Sequence, residues 1–123
     1  MVKGAETLET ARKVAKSVIC SSLVKTAMFG EDANWGRVLC AIGYSGEKVD
    51  VSKIDLSFKS KAGTIELCRD GAGVPFSEET AAKILHEKEI DILVDLKSGG
   101  FEATAWGCDL TYDYVKINGD YRT

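Results

Sequence analysis

Ile54-Asp55-Leu56-Ser57-Phe58-Lys59-Ser60-Lys61-Ala62-Gly63-Thr64-Ile65-Glu66-Leu67-Cys68 is where the period of the chain changes. Ile54, Leu56 and Phe58 alternate with Asp55, Ser57 and Lys59, and Ile65 and Leu67 alternate with Thr64, Glu66 and Cys68. A two-residue period sends apolar side chains to one face of an extended strand. Two such runs joined through Lys61-Ala62-Gly63 predict an antiparallel hairpin with one buried face.

Upstream the period is that of a helix. Leu8, Ala11, Ala15, Val18 and Ile19 recur at three- and four-residue spacing between Thr7 and Ser21, with Glu9, Arg12, Lys13 and Lys16 opposite them. Ser21 and Ser22 end that helix or cap a second one over Leu23 to Phe29, which Gly30 stops. A third helix is predicted from Asn34 or Trp35 through Ile42, with Asp32 as its N-cap. The opening residues, Met1 to Glu6, read as a lead-in to the first helix.

Downstream, Pro75 followed by Ser77-Glu78-Glu79-Thr80 predicts a capped helix to about Glu87, its buried stripe being Ala81, Ile84 and Leu85. Ile90, Ile92, Val94 and Leu96 form the cleanest strand. Lys97-Ser98-Gly99-Gly100 is expected to turn it into a second hairpin strand from Phe101 to Leu110, with Tyr112, Tyr114 and Lys116 continuing the alternation. Helices followed by hairpins predict an α+β fold, a helical layer packed on a mainly antiparallel or mixed β-sheet built from hairpins.

With 123 residues, 45% of them apolar and 28% charged, the chain has the makeup of a single folded domain. A net charge of -3 provides no positive field for a phosphate backbone, which argues against nucleic acid as a partner. No run of about 18 apolar residues is present, so no membrane span is expected. Cys20, Cys40, Cys68 and Cys108 are too widely spaced for a paired-cysteine metal site or a compact disulfide framework. They are expected to be buried reduced thiols, which makes a cytoplasmic setting the default. No metal or cofactor motif emerges.

The densest polar stretch is Leu23 to Arg37. Lys25, Thr26, Asn34 and Arg37 are candidate supporting residues for an oxyanion or carboxylate, since a guanidinium grips a carboxylate through two parallel hydrogen bonds. The structural alternative is that Arg37 pairs with Glu31 or Asp32 while Asn34 caps the helix. Gly71-Ala72-Gly73 lacks the lysine and hydroxyl residue of a phosphate loop and reads as a turn. His86, the single histidine, reads as an exposed helix residue. Asp91 and Asp95, about 13 Å apart along a strand, are too distant for an acid pair. Asp109, which follows Gly107-Cys108, is a further candidate, although a bulge or turn explains it as well. Asn118 and Thr123 close the list with an amide and a hydroxyl, against the alternative of a tail docked on the core.

Four motifs taken together resemble one family. Ser22-Leu23-Val24-Lys25-Thr26-Ala27-Met28-Phe29-Gly30, Asn34-Trp35-Gly36-Arg37, Trp106-Gly107-Cys108-Asp109-Leu110-Thr111 and Ile117-Asn118-Gly119-Asp120-Tyr121-Arg122-Thr123 are similar, in order, to the C-terminal part of the bifunctional ornithine acetyltransferase/N-acetylglutamate synthase (ArgJ) family. The resemblance covers essentially the whole chain. It implies an acyltransferase of arginine biosynthesis that moves acetyl from N-acetylornithine to glutamate, some members also accepting acetyl-CoA. It further implies a precursor that cleaves itself before an internal threonine, which becomes the nucleophile and carries the acetyl group. Asn118 and Thr123 match the two terminal positions that contact the amino-acid substrate. Lys25, Thr26, Asn34 and Arg37 match family motif positions in a supporting role.

The nucleophilic threonine's motif is absent, because Thr7 and Thr10 lie inside the first helix. The resemblance therefore leads us to expect a single C-terminal domain over residues 1–123, truncated at Met1 from a longer self-processing enzyme and inactive alone. Its expected partners are the missing N-terminal portion, including the α chain, and further copies in an oligomer. A noncatalytic small-molecule-binding or assembly domain with the same fold is the alternative.

Overall fold

The computed structural model describes residues 1–121. Three helices come first after a short strand: β1 (Val2–Ala5), α1 (Leu8–Cys20), α2 (Ser22–Phe29) and α3 (Trp35–Gly43). A 3-10 turn at Val51–Lys53 leads into β2 (Asp55–Ser60), β3 (Gly63–Arg69), β4 (Ala72–Gly73) and α4 (Glu78–Leu85). β5 (Asp91–Asp95), β6 (Phe101–Ala103) and α5 (Tyr112–Asp120) complete the described chain.

Hydroxyl and amide side chains start the helices. The Oγ1 of Thr7 accepts from the Thr10 amide at 3.0 Å, and the Oγ of Ser21 accepts from the Val24 amide at 3.2 Å, so Ser21 both ends α1 and begins α2. Ser77 caps α4 in the same way, with Glu78 and Glu79 in the first turn at its positive end. The α3 cap is Asn34, whose Oδ1 accepts from the Arg37 amide at 3.1 Å. Asp32, the expected cap, instead accepts from the Asn34 Nδ2 at 3.2 Å.

Six strands form one mixed sheet in the order β4-β3-β2-β5-β1-β6. The β2–β3 hairpin pairs Phe58 with Ile65 and Ser60 with Gly63, as the alternation predicts. β5 runs antiparallel to β2, with Phe58 opposite Ile92. The second hairpin does not form. β1 inserts between β5 and β6, parallel to the first and antiparallel to the second. Four residues containing Gly4 at φ 72° are too few and too irregular to display a strand period, which is why the opening residues read as a lead-in.

Two further corrections concern the end of the chain. β6 stops at Ala103 instead of continuing to Leu110, and Tyr112–Asp120 is helical where alternation suggested a strand. Capping decides the latter: the Oγ1 of Thr111 accepts from the Tyr114 amide at 2.9 Å and Asp113 lies in the first turn. Three alternating residues are weak against a capped turn.

The core lies between the helices and one sheet face. Val14, Val38, Ile42, Ile54, Leu56, Phe58, Leu67 and Ile84 are all fully buried. Truncating a side chain such as Phe58 to alanine removes about 3–5 kcal/mol in sites of this kind. On strands β1, β2 and β5, residues between the buried ones include Lys3, Asp55, Ser57 and Asp95, which make the other face polar. Lys97 ties one end of that face together, its Nζ 2.8 Å from both Asp55 and Asp70. Hydrogen bonds to Asp55 and Asp70 hold its ammonium well above the ordinary lysine range. Of the cysteines only Cys68 is buried, and that burial raises its thiol pKa; Cys20, Cys40 and Cys108 are exposed, contrary to expectation.

Insertion of β1 brings the β5–β6 connection against its backbone. A Cβ on Gly99 would lie 2.4 Å from the Ala5 carbonyl oxygen, whereas one on Gly100 would meet nothing within 4 Å. Gly99→Ala should lower stability by about 1–3 kcal/mol, and Gly100→Ala should be close to neutral. Urea unfolding of the two variants checks this; equal midpoints would contradict the packing of Gly99 on β1.

Candidate functional site

The corner between α2 and α3 is built around a turn. Gly30 closes α2 with its amide on the Thr26 carbonyl at 2.9 Å, and Glu31 follows in a left-handed conformation at φ 55°. The chain then re-enters helix at the Asn34 cap. Arg37, in the first turn of α3, reaches back to α2: its Nη1 donates to the Leu23 carbonyl at 3.1 Å and to the Thr26 Oγ1 at 3.3 Å. Thr26 in turn donates to the same carbonyl at 3.0 Å. Arg37 therefore joins the two helices and pairs with neither Glu31 nor Asp32. A guanidinium has five N–H donors in a planar fork, so contacts through one nitrogen leave it able to receive a carboxylate.

Beside this corner lies a groove of about 760 Å³. Lys25, Met28 and Phe29 of α2 form one wall; Ile90 and Ile92 and the loop from Thr104 to Asp109 form others. The loop is tied to α2 by the Leu110 amide, which donates to the Lys25 carbonyl at 3.3 Å. On its other side the loop lies close to α1 at Gly107, where a Cβ would be 3.2 Å from the Cβ of Ile19. Tyr112 then packs edge-on against Phe29, ring centroids 5.3 Å apart at 89°.

The candidates thus separate. Lys25, Thr26, Arg37 and Asp109 collect around α2, with Lys25 and Asp109 lining one groove. Asn34 uses its side-chain oxygen as a cap. Asn118 stands apart on α5, exposed, with its Nδ2 donating to the Tyr114 carbonyl at 2.9 Å. Thr123 lies outside the described residues.

The reading from sequence missed one contact at the groove rim. The His86 Nδ1 lies 2.8 Å from the Glu31 Oε1, linking the end of α4 to the α2–α3 turn. The residues are 55 positions apart, and no local pattern could have announced the pair. Trp106, expected within a strand, is 84% exposed on the groove loop. Gly71-Ala72-Gly73 forms a turn into β4, where Gly73 gives room for the Trp35 ring: a Cβ would lie 2.5 Å from its Cζ2. Among the described residues no group of His, Cys, Asp or Glu has the arrangement of a metal site, and no helix is long and apolar enough to cross a membrane.

An α+β domain with these motifs on its helical side has known relatives. The ArgJ family model matches residues 1–123. An arginine biosynthesis bifunctional protein ArgJ of Caldanaerobacter subterraneus subsp. tengcongensis is 57% identical over 122 residues, covering 99% of this chain and 30% of that protein. The protein of the same name from Symbiobacterium thermophilum is 58% identical over 122 residues, covering 99% of this chain and 29% of its own length. A crystal structure of arginine biosynthesis bifunctional protein argJ from Bacillus halodurans matches with a TM-score of 0.90 at 46% identity, over 98% of this chain and 55% of that one. The chain belongs to the ArgJ family, and it spans about 30% of the length of these curated relatives.

The rim contact has a pH signature. A hydrogen bond to Glu31 and the charge of that carboxylate raise the His86 pKa above its ordinary 6.5. Because the folded value lies above the unfolded one, the pair's contribution to stability is fully present below pH 6.5 and disappears as pH rises through the folded pKa. An NMR titration of the His86 ring should show the raised midpoint, and Glu31→Gln should bring it back down. Identical midpoints in both proteins would remove the pair.

Proposed function

We propose that this chain is the C-terminal substrate-binding part of a glutamate N-acetyltransferase, which transfers acetyl from N-acetylornithine to glutamate in cytoplasmic arginine biosynthesis. Membership of the family supports the pathway, and the relatives' own names carry the words arginine biosynthesis. The observation on which the local assignment rests is α5. This helix holds Asn118 in the open, buries none of its side chains, and directly follows the loop that walls the groove.

In this reading residues 1–123 act as one domain, and the nucleophile comes from the rest of a longer protein. An N-terminal threonine can use its own amine to take the proton from its hydroxyl as that oxygen attacks the acetyl carbonyl. The oxyanion that forms needs donors fixed in advance, which the remainder of the enzyme supplies. The protonated threonine amine returns its proton to the departing nitrogen as ornithine leaves, and the amine of glutamate then attacks the acetyl-threonine, losing its proton to the threonine amine, which hands it to the released hydroxyl oxygen. Acetyl-CoA serves as an alternative donor in the bifunctional form of the reaction.

The contribution of this chain is orientation. One hydrogen of the Asn118 amide is held by Tyr114, which leaves its other hydrogen and its Oδ1 for the charged backbone groups of the amino acid. Thr123 offers a second contact. Lys25, Thr26, Arg37 and Asp109 support the wall, with Arg37 maintaining the α2–α3 corner. The N-terminal portion with its α chain, and assembly into an oligomer, complete the proposal.

The test uses the complete enzyme. Asn118→Ala should reduce kcat/KM for N-acetylornithine about 10- to 100-fold, chiefly through KM, as for loss of a hydrogen bond to a charged group. Unchanged constants would remove Asn118 from the substrate contacts. The 123-residue chain assayed alone should transfer no acetyl; turnover by it would overturn the placement of the nucleophile elsewhere.

A further inference from the structure

Two contacts join the start of α5 to the helical layer, and both fall on α2. The Leu110 amide donates to the Lys25 carbonyl at 3.3 Å, and the Tyr112 ring stands edge-on to Phe29, centroids 5.3 Å apart at 89°. The spacing of these anchors agrees on the two sides. Lys25 and Phe29 lie on one face of α2, one turn and about 6 Å apart along its axis. Leu110 and Tyr112 are joined through Thr111, whose φ of -95° and ψ of 163° are extended, which separates them by about 6.6 Å. The chain from Leu110 to Tyr112 therefore lies along a single turn of α2 with both ends held.

The two contacts do different things. A single backbone hydrogen bond is a pivot about which the helix that follows can still roll. α5 buries none of its side chains, so no core packing sets its orientation. The ring contact supplies the missing restraint. An edge-to-face pair favours a near-perpendicular arrangement because the positive edge of one ring meets the negative face of the other, whereas an aliphatic side chain covers a ring without imposing an angle. α2 is a firm base for this restraint, since Arg37 secures it to α3 through the Leu23 carbonyl and the Thr26 hydroxyl.

Asn118 lies farther along α5, about 9 Å from Tyr112 along the axis and on a different face. Its amide is held against its own helix by the Tyr114 carbonyl at 2.9 Å. The direction in which the free hydrogen and the Oδ1 point is consequently set by how α5 as a whole is turned.

We propose that Phe29 is a positioning residue for acetyl transfer: acting through Tyr112, its ring sets the roll of α5 and thereby aims the Asn118 amide at the charged backbone groups of the amino-acid substrate. This rests on Asn118 contacting the substrate, as proposed for the site. Phe29 needs no contact with substrate to act in this way, and its aromatic character matters more than its bulk.

Steady-state kinetics of the complete enzyme test the assignment. Loss of an edge-to-face pair corresponds to about a 3- to 10-fold change in an equilibrium, so Phe29→Leu should raise KM for N-acetylornithine by about that factor with kcat little changed. Tyr112→Leu should match it. Phe29→Tyr keeps the ring and should stay within about 1.5-fold of the parent KM. Tyr112 is 82% exposed, so its replacement leaves the core intact and carries the test should Phe29→Leu fold poorly. In the Asn118→Ala enzyme, where no amide remains to be aimed, Phe29→Leu should add less than about 1.5-fold. The same factor in both backgrounds would mark a merely structural loss and overturn the proposal. So would an unchanged KM in Phe29→Leu and Tyr112→Leu beside an impaired Asn118→Ala. If Asn118→Ala itself leaves both constants unchanged, the reading of the site falls first and the positioning role goes with it.

Discussion

Four residues at the start of the chain hold the sheet together. β1 is the connection between the β4-β3-β2-β5 block and β6, and without it β6 has no strand partner. Its placement depends on Gly4, at φ 72°, where a Cβ would lie 2.4 Å from a carboxylate oxygen of Asp95 and 2.7 Å from the amide of Lys97. Only a residue without a side chain lets the strand pass this close to the end of β5. The contact propagates: the Gly4 carbonyl accepts from the Ser98 amide at 2.7 Å, and Gly99 lies against Ala5.

The helical layer is arranged around this insertion. α1 packs against both β1 and β6, while α4 packs over β2 and β3. The groove beside α2 opens where neither set covers the sheet. The residues singled out near α2 therefore stand at a boundary of the fold, where a short helix, a left-handed turn and an exposed loop meet.

How much of this could be read from the sequence follows from the range of the forces involved. α1, α2, α3 and α4 announce themselves through apolar spacing, and α2 and α4 also through Ser21 and Ser77 at their starts, each within a few residues of the helix it caps. The β2–β3 hairpin is equally local. β1 is not, because its partners lie about ninety residues away and its own four residues carry almost no period. Once β1 is missed, the β5–β6 hairpin follows as the economical error, since the Lys97–Gly100 connection reads like a turn. For the site, Asn34 was legible as a cap, while Arg37's engagement with Leu23 and Thr26, and the pairing of Glu31 with His86, depend on how helices pack.

The margins of the sheet show where it can and cannot grow. β4 is two residues long and β6 three, and the Trp35 ring lies over Gly73 at one margin. Short edge strands offer a poor template to a foreign chain, which protects a sheet from stacking sideways into aggregates.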